Sequence, residues 1–129
     1  MTNKVRGEVT LTLAGKAVTL RPTWDAIVAT EAAWDCGWPE IVRRLELQRF
    51  RLPELAALIL EGIKAAGPQK YAEPTLKQVG ELLIAHGALQ DDVVEALVTY
   101  VMGPLHDFDK AARDDPDAGK TKAGTVPSA

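Results

Sequence analysis

The sixteen residues from Leu52 to Gly67 constrain this chain more than any other stretch. Pro53 suits the first helical position, where its missing N–H leaves nothing unpaired, and Gly67 suits the left-handed residue just past a helix end. At about 100° per residue, Leu55, Ala56, Leu58, Ile59, Leu60 and Ile63 cover more than half of the circumference. Only Glu54, Glu61 and Lys64 remain as a polar stripe. A helix this apolar has to be enclosed on several sides, and the flanking segments must do it. With 129 residues, 47% of them apolar, the chain is long enough for one domain with its own core.

Upstream, Glu8 to Leu13 alternates, with Val9, Leu11 and Leu13 on one face and threonines on the other, and Val18 and Leu20 repeat the pattern. This predicts a β-hairpin. A Gly15-Lys16 turn sets Leu13 opposite Val18; an Ala14-Gly15 turn also keeps the apolar residues together, so both registers stand. A lone hairpin is marginal in water, and its apolar face must lie on helices.

Pro22 ends the second strand, and Thr23 is a good N-cap for a helix running to about Asp35, with Gly37 as its C′ residue. Trp24, Ile27, Val28, Ala32 and Trp34 fill the predicted inward arc, and Ala26, Ala29 and Ala33 form a smooth back. Glu31 falls inside the apolar arc, where a carboxylate needs a donor. The candidates are an indole N–H, Arg21, or the open N–H groups where another helix starts.

A second helix is predicted over 39–49, with Ile41, Val42 and Leu45 inward; Arg43, Arg44, Arg49 and Arg51 crowd it and the linker after it. Residues 68–74 read as a loop. Thr75 and Gln78 match a capping box for a helix over 76–86 that buries Val79, Leu82 and Leu83 and ends at Gly87. A last helix over 91–102 buries Val93, Val94, Leu97 and Val101, and Gly103-Pro104 stops it. Residues 105–129 carry five Asp and four Lys or Arg, with Leu105, Phe108 and Val126 as their large apolar residues. The predicted architecture is α+β but mostly α. An N-terminal β-hairpin packs on a bundle of about five short helices within residues 1–104, and residues 105–129 form a disordered charged tail with at most one helical turn at 107–113.

Reaction chemistry finds little support. His86 sits at a helix C-terminus, where an imidazolium favours the dipole, and no second His or Cys lies close in sequence. His106 begins the tail and reads as solvated. Cys36 reads as a small packed hydrophobe, and a lone cysteine excludes an internal disulfide. Gly119-Lys120-Thr121 lacks the earlier glycine of a phosphate loop, and Asp115, Asp117 and Gly119 lack the spacing and closing Glu of a calcium loop. The expectation is therefore no catalytic residue, no metal and no cofactor. The N-terminus has no apolar signal region, and no apolar run approaches the ~20 residues that span a bilayer, so a cytoplasmic, non-membrane chain is expected. A net charge of −3 argues against nucleic acid. The arginine-bearing second helix leaves a DNA-binding reading as an alternative, opposed by Glu40 and Glu46 on the same helix.

Two sets of candidate residues remain. Thr23 and Glu31 read as structural polar anchors. Leu47, Phe50, Ile84 and Met102 fall off the predicted inward faces and, with Arg43 and Arg44, form a candidate partner-binding set.

The run from Gly7 to Leu11, the Leu20-Arg21-Pro22-Thr23-Trp24 junction, Ala29-Thr30-Glu31 and Gly37 together resemble the tail assembly chaperone family of siphophages, in the branch found in alphaproteobacterial gene transfer agents. The likeness spans roughly residues 5–103. The junction motif is the more specific part, and the later helices are generic. The resemblance implies a non-catalytic protein that coats the long, apolar, helical tape-measure protein until tail-tube subunits displace it. Its partners would then be the tape-measure protein, a tail tube protein and further copies of itself. The family has also been described as a tail-tube component, which implies a structural subunit of the particle instead; two short strands offer little material for a tube wall. If Glu31 is an anchor, Glu31→Gln is expected to lower stability little and Glu31→Leu more, which chemical denaturation of the two variants checks.

Overall fold

Hydrophobic alternation is realised as two five-residue strands, β1 (Val9–Leu13) and β2 (Lys16–Leu20), paired antiparallel with Leu11 opposite Val18 and Leu13 opposite Lys16. The computed structural model that gives this pairing describes residues 7–67 and 74–105. The turn is Ala14-Gly15, so the Gly15-Lys16 alternative is not taken. Both central residues have positive φ, 50° and 86°, the signature of a type I′ turn whose twist matches the strands. Leu11, Leu13, Val18 and Leu20 face the core, as the pattern requires.

Five helices follow: α1 (Trp24–Trp34), α2 (Trp38–Glu46), α3 (Leu52–Ala65), α4 (Leu76–His86) and α5 (Asp91–Leu105). The fold is thus a two-stranded hairpin on a five-helix body. Helix α3 is its centre, packed against α1, α4 and β2, while α5 closes over β1 and α2. Leu55, Ala56, Leu58, Ile59 and Ile63 are all buried, and Gly67 follows the helix at φ 93°. Among the described residues no helix is long and apolar enough to cross a membrane.

Three helix ends depart from expectation. Asp35, at φ 57°, supplies the left-handed residue after α1, and Gly37 instead stands in extended conformation as the N-cap of α2. Helix α2 ends at Glu46, short of residue 49. The Gln48 N–H donates to the Leu45 carbonyl and the Arg49 N–H to the Arg44 carbonyl, a Schellman closure with Gln48 left-handed where glycine is usual. Helix α5 runs through Gly103-Pro104 to Leu105. Pro104 has no N–H for the Tyr100 carbonyl, and Gly7 lies against that carbonyl instead. A Cβ on Gly7 would stand 2.9 Å from the oxygen, which only glycine avoids. The predicted tail, its helical turn at 107–113 and His106 fall outside the described residues, as does most of the 68–74 loop.

Helix α1 turns only part of its predicted arc to the core: Trp34 is buried and Ile27 packs against it as expected, but Trp24, Val28 and Ala32 face outward. Ala26, Thr30 and Trp34 are buried, while Trp24 is 77% exposed and Val28 47%. Two hydrogen bonds account for the inward set. The Thr30 hydroxyl donates to the Ala26 carbonyl at 2.7 Å, and the Trp34 indole donates to the Glu54 carbonyl at 2.7 Å. Both polar groups enter the core satisfied, and small Ala26 lets α1 approach α3.

The closest packing is at Gly62, where β2 ends on α3. Arg21 N–H donates to the Gly62 carbonyl at 3.1 Å, and a Cβ on Gly62 would lie 2.8 Å from the Tyr100 hydroxyl and 2.9 Å from Leu20 Cβ. Burial, with Glu61 adding to it, pushes the Tyr100 phenol well above its ordinary range, so it remains a hydroxyl and donates to the Arg21 carbonyl. Gly62→Ala is therefore expected to destabilise the protein by about 1–3 kcal/mol through overpacking, measurable as a lower urea midpoint at unchanged m-value.

Candidate docking surfaces and the joint between them

The sequence places an arginine cluster next to the apolar core helix, and packing divides that cluster in two. Arg44 is drawn inside. Its Nη2 donates to Glu54 Oε1 at 2.7 Å, its Nε to the Arg49 carbonyl at 2.7 Å and its Nη1 to the Trp34 carbonyl at 3.3 Å. The guanidinium also lies 4.9 Å from the Trp34 ring centroid, a cation–π distance. The same Glu54 oxygen accepts the Arg51 N–H at 2.8 Å at the start of α3. One ion pair thus ties the end of α1, the α2–α3 linker and the first turn of α3. Glu54, expected on a solvent-facing stripe, is buried. Arg44, expected to face a partner, is a structural cross-link. A planar fork with several N–H donors explains why Arg rather than Lys fits here.

Arg43 stays exposed on α2. Leu47, at the C-cap of α2, is 52% exposed, and Leu52 at the start of α3 is 44% exposed. Phe50 between them is half-buried, its ring tilted against Trp34 at 6.2 Å between centroids. Of the partner-binding candidates, Leu47 and Arg43 therefore share the α2–α3 corner with exposed Arg49 and Arg51, while Phe50 contributes mainly to the core edge. Ile84 is 69% exposed on α4, and Met102 is half-buried on α5. Helix α4 packs chiefly on α3 and β1, and α5 on α2 and β1, so the candidates divide between separate elements.

A second apolar surface lies where no partner site was expected. Trp24 and Val28, four residues apart, stack along the outer face of α1, and Ala32 extends it by another turn. The signal was present as a helix with apolar residues on more than one side. Size does not decide between those sides, since Trp34 is buried and Trp24 is not.

The polar anchors have defined partners. Thr23 Oγ1 accepts from the Ala26 N–H at 3.2 Å as the N-cap of α1. Glu31 Oε2 accepts from the Trp38 N–H at 2.7 Å, placing a carboxylate at the positive start of α2. His86 differs from its predicted role. Its Nδ1 accepts the Ala14 N–H at 3.0 Å, which an imidazolium cannot do, and its Nε2 donates to Asp92 at 3.0 Å. The neutral ring joins the hairpin tip to the α4–α5 corner. Among the described residues, no group of three His, Cys, Asp or Glu side chains is gathered as a metal site.

A family model described as phage tail tube protein, GTA-gp10 matches residues 6–99. No curated protein and no solved structure is matched. Removing the Arg44 cross-link is expected to destabilise the chain strongly: Arg44→Ala by about 2–4 kcal/mol, with Arg44→Lys recovering only part, in equilibrium urea unfolding.

Proposed function

The chain belongs to the phage tail tube protein family GTA-gp10, matched over residues 6–99, and from that premise we propose that it is a tail assembly chaperone. In this reading it binds the long, apolar, helical tape-measure protein and keeps it soluble during tail morphogenesis, without catalysis or cofactor. The observation that supports it is the set of large apolar side chains left on the outer surfaces of otherwise well-packed helices, above all Trp24 and Ile84. Exposed apolar side chains on rigid helices suit exchangeable binding of another apolar helix.

A second reading, a structural component of the tail tube, is favoured by the family's own description. The two readings differ in where the chain ends up. A chaperone is displaced as the tube grows; a tube component stays.

Co-expression with the tape-measure chain is expected to move that chain from the insoluble to the soluble fraction. Purified tails analysed by mass spectrometry are expected to lack the protein. Stoichiometric retention in tails, with no gain in tape-measure solubility, would replace the chaperone reading by the tube reading.

A further inference from the structure

The tip of the hairpin adopts a conformation that its first turn residue does not favour by itself. Ala14 stands in the left-handed region at φ 50°, the position of a type I′ turn where Asn, Asp or Gly is usual. A residue with a Cβ persists there only when neighbouring structure holds it. The neighbour is His86, at the end of α4, whose Nδ1 accepts the Ala14 N–H at 3.0 Å. On the far side of the ring Nε2 lies 3.0 Å from Asp92 Oδ2, and Asp92 is fixed in turn because its Oδ1 accepts the Val93 N–H at 2.9 Å.

This arrangement requires one protonation state. A bare Nδ1 accepts from Ala14 while the Nε2 proton is donated to the carboxylate. A second proton can go only to Nδ1, where it sets one N–H against another. The two sides of the ring then respond oppositely: the contact with Ala14 is lost, and the contact with Asp92 becomes a charge-assisted pair. The His86 side chain is 20% exposed, so water reaches the ring. The other charged groups on the elements that meet here are Lys16 at the start of β2 and Asp91 beside Asp92 on α5. On α4 itself Lys77 and Glu81 lie more than one turn away. Those of α3, which also packs on α4, are engaged elsewhere, Glu54 with Arg44 and Glu61 with Lys64.

We propose that His86 is a proton-operated clasp on the hairpin. Neutral, it holds the Ala14-Gly15 turn against the α4–α5 corner; protonated, it stays with Asp92 and lets the turn go. Once released, Ala14 has no partner to offset its left-handed backbone, and the tip moves into water. The opposite end of the hairpin stays tied, because the Arg21 N–H remains bonded to the Gly62 carbonyl. Leu13, beside the turn and 1% exposed, is the core side chain that the opening uncovers first. The inference concerns this chain alone and holds under either reading of its function.

Nuclear magnetic resonance of the chain between about pH 8 and about pH 5 tests it. At the upper end the ring nitrogen shifts of His86 are expected to report a protonated Nε2 and a bare Nδ1. As the ring takes up its second proton, the Ala14 amide proton is expected to move upfield in the same transition. It should also acquire the temperature dependence of a solvent-exposed amide, while the Arg21 amide stays unchanged. His86→Asn puts an amide oxygen near the position of Nδ1 and cannot become charged, so it should keep the Ala14 bond and abolish the pH dependence. The wild-type titration alone decides the case should that variant not fold. An Ala14 resonance that stays put while His86 titrates, a ring uncharged throughout the range, an Arg21 amide that moves in step, or the same Ala14 transition in His86→Asn would each overturn the proposal.

Discussion

Enclosure of α3 is the constraint on which everything else in this fold depends. A fourteen-residue helix with apolar side chains on most of its surface cannot stand at a boundary with water. Helices α1 and α4 cover it from two sides and β2 from a third. Burying a side chain of Leu or Ile size contributes roughly 1.5–3 kcal/mol, so the four large aliphatics that α3 buries, Leu55, Leu58, Ile59 and Ile63, weigh heavily in the core. The hairpin is explained by the same requirement. It is too small to stand alone, and it persists because Leu11, Leu13, Val18 and Leu20 complete the enclosure.

Close enclosure brings polar backbone and side chains into the interior, and the fold gives several of them a defined partner, although among the described residues Arg21 Nε is buried without one. Trp34 and Trp38 bury their rings while donating indole N–H groups to the Glu54 and Val101 carbonyls. Trp38 also meets Tyr100 edge-on at 5.8 Å between ring centroids, linking α2 to α5. Arg44 and Glu54 meet where the end of α1, the α2–α3 linker and the first turn of α3 converge. Gly62 removes a side chain where a strand end, a phenol and a helix must share space. These contacts set the relative placement of the helices and, through it, which faces of α1 and α2 are left in water.

Much of this was legible in the residues, and the failures have physical causes. The capping box of α4 and the left-handed Gly67 follow from backbone chemistry local to a few residues, and both are found where the sequence puts them. The hairpin pattern was clear, but two turns satisfied it equally and only tertiary docking separates them. On α1 apolar bulk places Trp34 and Ile27 correctly but not Trp24, because hydrogen-bond satisfaction also decides which side chains are buried. Thr30, able to bond its own helix, is buried, and Trp24 is not. Arg44 and Glu54 looked like solvent-facing charges because their pairing spans two helices, a separation no periodicity reveals. Pro104 read as a stop, yet a proline near a helix end breaks only the bond to Tyr100, and Gly7 occupies the space there. The family assignment rests on residues 6–99, which include the hairpin, the Arg21-Pro22-Thr23 junction and most of the helical body.

The tie between Ala14 and His86 joins positions 72 residues apart and bears on the order of events during synthesis. Translation delivers the hairpin first, with one side of its sheet uncovered. The groups that seal that side, on α3, α4 and α5, are made after it. The strands therefore wait as a loosely formed, sticky segment until the C-terminal helices arrive, and the helices, rich in local contacts, have time to form ahead of them. The hairpin is made early and secured late, and the nascent chain is most exposed to wrong associations in that interval.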